Sequence, residues 1–249
     1  MRLLLLVLLA VSASAQVNTE RMRRALAEDA AALSLDASAA FATGNTEFLQ
    51  VGLGGRADVR AGDHLAFLVA RLDLAQTDDR AFVDQSFAHL RYNRAVAPRL
   101  VAEAFTQVQR NRQERLQTRT LVGAGIRYEL LQADSLGLAV GVTPMFEYEV
   151  LDDDLGTQQD GVGRVSTYLS GRLTLASGTA LSAVTYVQPR LDAPSDHRVL
   201  SQLALEVGLT RAVRLRVRAD LRHDSRPPPD VEKTDLRLEN GLVLVLPVP

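Results

Sequence analysis

The sequence predicts an all-β fold: a transmembrane antiparallel β-barrel of about twelve strands that follows a cleaved signal peptide and a short helical segment. Three observations predict it. The N-terminal residues have the pattern of an export signal, the later residues alternate between apolar and polar over stretches of about ten or more, and the connections between these stretches are alternately short and long. We divide the chain accordingly into residues 1–15, 16–32 and 33–249.

The first 15 residues predict export. Arg2 precedes an apolar run from Leu3 to Val11, and Ala13 and Ala15 form the Ala-x-Ala pattern at which signal peptides are cleaved. The run is about half as long as a helix needs to cross a bilayer. Residues 16–32 contain helix formers behind a Thr19 cap and have only a thin apolar stripe, so we expect a solvated periplasmic lead-in.

From Leu33 onward, the residues alternate with the period of two that is typical of strands with two different faces. In the predicted sixth strand, Leu116 and Ile126 share one face, and Arg119 and Arg127 share the other. The strands are about as long as tilted membrane-crossing strands. The twelve predicted strands are 33–42, 47–60, 64–76, 82–94, 98–110, 115–131, 136–150, 163–175, 179–191, 197–209, 212–223 and 232–246.

This alternation fits two kinds of barrel. A soluble periplasmic barrel that binds a ligand would bury the apolar face, whereas an outer-membrane barrel turns it toward lipid. The connections favour the membrane barrel with both termini in the periplasm, because short turns alternate with more polar and often longer loops. The short turns are 61–63, 97–98, 133–135, 177–178 and 210–211; the other set is 77–80, 111–114, 152–163, 192–196 and 225–231, with a short outer connection at 43–46 as the exception.

Composition excludes several classes of protein. The chain has no Cys, so it has no disulfide, thiolate nucleophile or Cys-ligated metal. Its 28 basic and 30 acidic residues leave a formal charge of −2, which argues against nucleic-acid binding. The sequence predicts no cofactor and no metal site; Asp152, Asp153 and Asp154 with Asp160 offer hard oxygen ligands for Ca²⁺, but a solvated acidic loop is the favoured interpretation.

The charged faces of the strands predict the lining of the lumen. Charges there must be paired or hydrated, so two alternatives stay open: an ion-pair network that closes the lumen, and a narrow water-filled pore. The arginines of strand 212–223, with Arg237 beside them, would attract small anions. The predicted lumen-lining residues are Arg119, Arg127, Glu129, Glu147, Glu149, Arg164, Arg172, Arg214, Arg216, Arg218, Asp220, Arg222 and Arg237.

One pair of residues suggests an enzyme. His223 and Ser225 have the His-x-Ser spacing that resembles outer-membrane phospholipases and lipid A deacylases, in which His acts as base to a Ser nucleophile. Those enzymes usually continue with Asn, whereas Arg226 and three prolines follow here. We therefore predict no enzymatic activity and keep a lipid hydrolase as the alternative.

The order and spacing of several short pieces resemble the YdiY-like group of salt-induced outer-membrane proteins, classed as domain-of-unknown-function family 481. The resemblance covers roughly residues 31 to 246 and implies an outer-membrane β-barrel without a defined biochemical role. For such a barrel we expect outer-membrane lipids, the barrel-assembly machinery during insertion, and small ions or solutes as partners. The chain departs from outer-membrane barrels in that it ends on Pro249, where they usually end on an aromatic residue. The pieces are Thr43-Gly44-Asn45-Thr46, Arg91-Tyr92-Asn93, Pro98-Arg99-Leu100, residues 109–131 with Leu116, Arg119, Gly123, Gly125 and Tyr128, Pro227-Pro228-Pro229 and Lys233-Thr234-Asp235.

Overall fold

A computed structural model of the chain describes residues 29–42, 48–77, 80–153, 156–175, 178–210 and 213–244. These residues form one antiparallel sheet of twelve strands in which each strand pairs with the next in sequence. The strands are β1 Ala31–Ala42, β2 Phe48–Ala61, β3 His64–Thr77, β4 Arg80–Ala97, β5 Leu100–Asn111, β6 Leu116–Gln132, β7 Leu136–Asp153, β8 Gly156–Thr174, β9 Ala180–Pro189, β10 His197–Gly208, β11 Val213–Asp224 and β12 Thr234–Leu244. A single turn of 3-10 helix, Arg112–Glu114, joins β5 to β6. No helix in the described ranges has both the length and the apolar character to cross a bilayer.

The predicted all-β antiparallel fold is confirmed. Predicted and observed strand bounds agree within three residues at every end except the start of β8. The predicted signal peptide, and the predicted helical segment up to residue 28, lie outside the described residues, and β1 already begins at Ala31.

The predicted long loop over 152–163 is wrong. β7 and β8 remain paired as far as Asp153 opposite Gly156, so they form a two-stranded ribbon in which β8 extends beyond the end of β9, while β7 stays paired with β6 as far as Leu151. Residues 156–161 are exposed on both faces. A strand with water on both sides needs no alternation of apolar and polar residues, which is why the sequence pattern did not indicate it.

The sheet carries its polar side chains on the inner face and its apolar side chains on the outer face. Arg91, Glu103 and Arg164 are each about 3% exposed, whereas Ile126 and Leu169 are more than half exposed. A soluble barrel has the opposite arrangement, and an apolar exterior around a polar interior is the arrangement of outer-membrane barrels.

One residue departs from the predicted faces. Leu116, expected on the outer face, is 1% exposed and points inward. The cause is a bulge between Leu116 and Thr118 in the pairing of β6 with β7, because one extra residue reverses the alternation on its N-terminal side.

The sheet curls around its inner face, so side chains from strands three apart in the sheet meet. The Tyr168 hydroxyl of β8 donates to Glu103 of β5 at 2.7 Å, and Arg198 of β10 contacts Glu147 of β7. Among the described residues, β1 and β12 are not paired with each other.

Candidate functional site

The interior of the curled sheet is the candidate site, and Tyr168 occupies its middle. The Tyr168 ring is 2% exposed and lies across Gly141 of β7, where an added Cβ would stand 2.2 Å from the ring. The guanidinium groups of Arg91 and Arg127 each lie 5.9 Å from the ring centre, and Arg91 also binds Glu103 at 2.6 Å. A glycine is required at position 141 because the aromatic ring fills the space that a side chain would occupy.

Apolar and aromatic side chains fill the rest of the lumen at the height of Tyr168, which we call the Tyr168 level. Tyr168 packs with Val184, Tyr186 and Leu200 in a buried cluster. The His89 ring stacks between Phe87 and Phe105 and contacts Gln107 at 3.1 Å. The remaining cavity here is about 30 Å³, roughly the room of one water molecule. The middle of the lumen between β4 and β10 is therefore closed by side chains.

Ion pairs close the lumen nearer to the longer loops. Arg198 binds three carboxylates: Asp224 at 2.8 Å, Glu149 at 2.9 Å and Glu147. Glu147 also accepts from Arg164 at 3.1 Å, and Glu149 also binds Arg119. We call the residues Arg119, Glu147, Glu149, Arg164, Arg198 and Asp224 the outer network. Because its charges are shared among several partners, each buried ion is compensated.

A different pattern occurs where β2, β3, β10 and β11 line the lumen. In the ion pairs Arg71–Asp73, Arg218–Asp220 and Arg216–Glu206, the carboxylate is more buried than the arginine that binds it. The Arg71 side chain is 51% exposed against 7% for Asp73, and Arg218 is 24% exposed against 5% for Asp220. The Arg216 side chain is 41% exposed against 30% for Glu206. In these pairs the arginine is therefore the partner that is more accessible to water.

The structure places the predicted lumen residues on the inner face with different degrees of burial. Arg119, Arg127, Glu147, Arg164 and Asp220 are buried; Glu129, Glu149, Arg216, Arg218, Arg222 and Arg237 are half-buried; and Arg172 is exposed. The Arg214 backbone pairs with Gly208, but its side chain lies outside the described part. Most of the predicted residues at the loop end are brought together in the outer network, whereas Arg172 lies at the opposite end.

Sequence reasoning missed two buried arginines of the interior, Arg91 and Arg198. Each shares its strand face with apolar or aromatic residues: Arg91 with Phe87, and Arg198 with Leu200. Because these faces mix polar and apolar residues, the period-two alternation does not mark them as polar. The only signal for Arg198 is its register partner Asp224 on β11, which becomes visible once the strand pairing is known.

The predicted enzyme-like pair has other partners. His223 Nδ1 and the Thr234 hydroxyl are 2.8 Å apart, and the Ser225 hydroxyl accepts a hydrogen bond from the His197 backbone N–H at 2.8 Å. Within the described residues, no hydrogen bond joins His223 to Ser225. The absence of enzymatic activity stays a prediction.

Two of the acidic residues considered for Ca²⁺ bind other side chains of the protein. Asp160 binds Arg190 at 2.9 Å, and Asp152 contacts Gln117. The Asp153 side chain and Asp154 lie outside the described part. In the adjacent loop, Arg190 donates two hydrogen bonds to Asp192, at 2.7 and 3.1 Å, and this contact lowers the pKa of the Asp192 carboxyl.

Comparison with known proteins identifies the family. Residues 35–245 match the model of DUF481, whose members are described as proteins of unknown function. The chain belongs to the DUF481 family. The predicted resemblance is thus confirmed, and no curated protein matches the sequence. The DUF481 fold is similar to a NanC porin solved in a rhombohedral crystal form, with a TM-score of 0.50 and 8% identity over 87% of this chain and 99% of the porin chain. At this identity, the likeness concerns the β-barrel fold alone.

Proposed function

We propose that this DUF481 protein is an outer-membrane β-barrel that provides a narrow passive passage for small anions along β2, β3, β10 and β11. The rest of its lumen is filled by the Tyr168 level and the outer network. The observation that carries the proposal is the unequal exposure of ion-paired partners on these strands, with Arg71 at 51% and Asp73 at 7%.

The physical reason for anion preference is electrostatic. Fixed guanidinium groups in a confined, low-dielectric space raise the local concentration of anions and oppose the entry of cations. The carboxylates of Asp73 and Asp220 lie deeper than the arginines that bind them, so a passing ion meets these arginines first. Because the passage is narrow, it would exclude larger solutes.

Three observations support the outer membrane as the location. The outer face is apolar, the N-terminal residues have the pattern of an export signal, and the fold is similar to that of a porin. Cell fractionation tests this part: the protein should sediment with outer-membrane markers and stay there after a high-salt wash.

A structural role with a closed lumen is the second candidate. The buried Tyr168 cluster and the outer network favour it, because they leave a cavity of only about 30 Å³ at mid-lumen. In this case, the barrel would insert without conducting.

Planar-bilayer recording distinguishes the two candidates. We expect the refolded protein to show a small steady conductance, with a reversal potential in a salt gradient that indicates anion preference. The double variant Arg71→Glu, Arg216→Glu should abolish or invert this preference. The matched control is Arg190→Glu, which makes the same change of charge per site in an outer loop and should leave the preference unchanged. A folded, inserted barrel that never conducts would overturn the passage and favour the structural role.

A further inference from the structure

A cavity of about 290 Å³ opens at the end of the lumen that carries the short turns, opposite the outer network. Its polar lining comes from Arg127 and Glu129 of β6, Ser170 and Arg172 of β8, Ser182 of β9 and Gln202 of β10. At about 30 Å³ for each water molecule, the cavity has room for about ten waters or one small solute.

Strand register explains why space remains here. Arg172 lies opposite Gly137 of β7 on one side and Ser182 of β9 on the other. A Cβ added at Gly137 would meet nothing within 4 Å, so the inner face beside Arg172 is open. The small residues Gly137 and Ser182 thus flank the long side chain of Arg172.

The charges of the cavity favour an anion. Arg127 holds the carboxylate of Glu129 with two hydrogen bonds, at 2.5 and 3.4 Å, so these two charges compensate each other. Arg172 is exposed and makes no ion pair or hydrogen bond with the other described residues. Among the described residues, the cavity therefore carries one uncompensated positive charge, the guanidinium of Arg172, whose planar shape matches two oxygens of a phosphate or carboxylate.

Neutral polar groups stand beside that charge. The Ser170 hydroxyl oxygen accepts a long hydrogen bond from Arg127 at 3.4 Å, which leaves its own hydrogen free to donate. Ser182, the register partner of Arg172, adds a second hydroxyl. Gln202 is buried, and its Oε1 has no hydrogen-bond partner within the described residues. Its carboxamide can rotate to accept from a hydroxyl or to donate to an oxygen of a bound solute.

We propose that this cavity is a binding site for one small oxyanion, a phosphate or a carboxylate, with the Arg172 guanidinium as its charged contact and the hydroxyls of Ser170 and Ser182 as further donors. The site lies on the short-turn side of Tyr168. Its occupation does not require the lumen to conduct, so the inference goes beyond the proposed passage.

Calorimetric titration of the full chain, folded in detergent, tests this site with inorganic phosphate, acetate and neutral glycerol. We expect saturable binding of phosphate or acetate with one site per chain, and no binding of glycerol. The anion that binds more tightly indicates whether the natural solute carries a phosphate or a carboxylate. Arg172→Gln should weaken binding at least tenfold, and Arg172→Lys should weaken it less, because it keeps the charge but loses the planar fork.

Arg99→Gln is the matched control, since Arg99 is exposed in the turn between β4 and β5 at the same end of the barrel and loses the same charge. It should leave binding unchanged. Circular dichroism checks the fold of each variant, and Ser182→Ala, expected to weaken binding about threefold, replaces any arginine variant that does not fold. No saturable binding of either anion, or equal weakening by Arg99→Gln, would overturn the site. Failure of the proposed passage would instead appear as absent conductance, which is measured separately.

Discussion

At the scale of single residues, Arg198 is a buried cation that binds three carboxylates. Its guanidinium contacts Glu147, Glu149 and Asp224, which come from two different strands. A buried cation is costly to desolvate, and removal of one partner from such a group is more costly still, because it leaves uncompensated charges behind. Arg198 therefore holds β7 and β11 to β10 across the lumen.

The change Arg198→Met should destabilise the barrel by about 3 kcal/mol, because it leaves three carboxylates with fewer cations at a buried site. Glu147 and Glu149 keep Arg164 and Arg119, which limits the loss. Urea unfolding followed by far-ultraviolet circular dichroism measures the effect. Arg190→Met removes a half-buried loop arginine whose carboxylate partners Asp160 and Asp192 are exposed, so it should lower the midpoint far less. Equal midpoints for the two variants would contradict a stabilising role for the outer network.

At the scale of strands, period two together with the turn signals was sufficient to predict about twelve strands, because each strand separates an apolar face from a polar face. The same signal fails where the two faces do not differ. The ribbon at the start of β8 has water on both sides, and a bulge turns Leu116 inward. Contacts of the interior, such as Arg198 with Asp224, depend on register between strands, which alternation along one strand does not contain.

The packing of the Tyr168 ring of β8 against Gly141 of β7 depends on two paired strands. Gly141→Ala should destabilise the barrel by about 1–3 kcal/mol, because its Cβ would stand 2.2 Å from the Tyr168 ring and force the ring from its place. The measurement is the same urea midpoint, together with the near-ultraviolet signal of the tyrosines. Gly137→Ala is the matched control on the same strand and face, where nothing lies within 4 Å, and it should have no such effect. Similar losses in both variants would show that close packing of Tyr168 on Gly141 is not the cause.

At the scale of the whole molecule, the sheet reverses the arrangement of a soluble barrel. Arginines and carboxylates lie on its inner face, and aliphatic side chains cover its outer face. Such an apolar outer face can contact lipid. Lipid cannot form hydrogen bonds with the backbone N–H and C=O groups of an open sheet edge, and each unpaired group costs several kcal/mol in the bilayer. β1 and β12 are the two ends of the sheet. Because the strand number is even and neighbours are antiparallel, β1 and β12 run in opposite directions and can pair as any other neighbours do.

We therefore predict that β1 and β12 pair with each other when the protein is in a bilayer. The natural chain has no Cys, so any thiol crosslink must join two introduced cysteines. Leu35→Cys in β1 is combined in turn with Leu236→Cys, Leu238→Cys or Asn240→Cys in β12, and a short bifunctional thiol reagent is added to the protein in lipid vesicles. One combination should crosslink efficiently, which also identifies the register of the closing pair. Ala37→Cys with Leu53→Cys, which lie opposite each other on β1 and β2, is the positive control. If the control pair reacts and no β1–β12 pair does, the sheet stays open in the membrane, and the closed barrel on which the proposed anion passage depends is wrong.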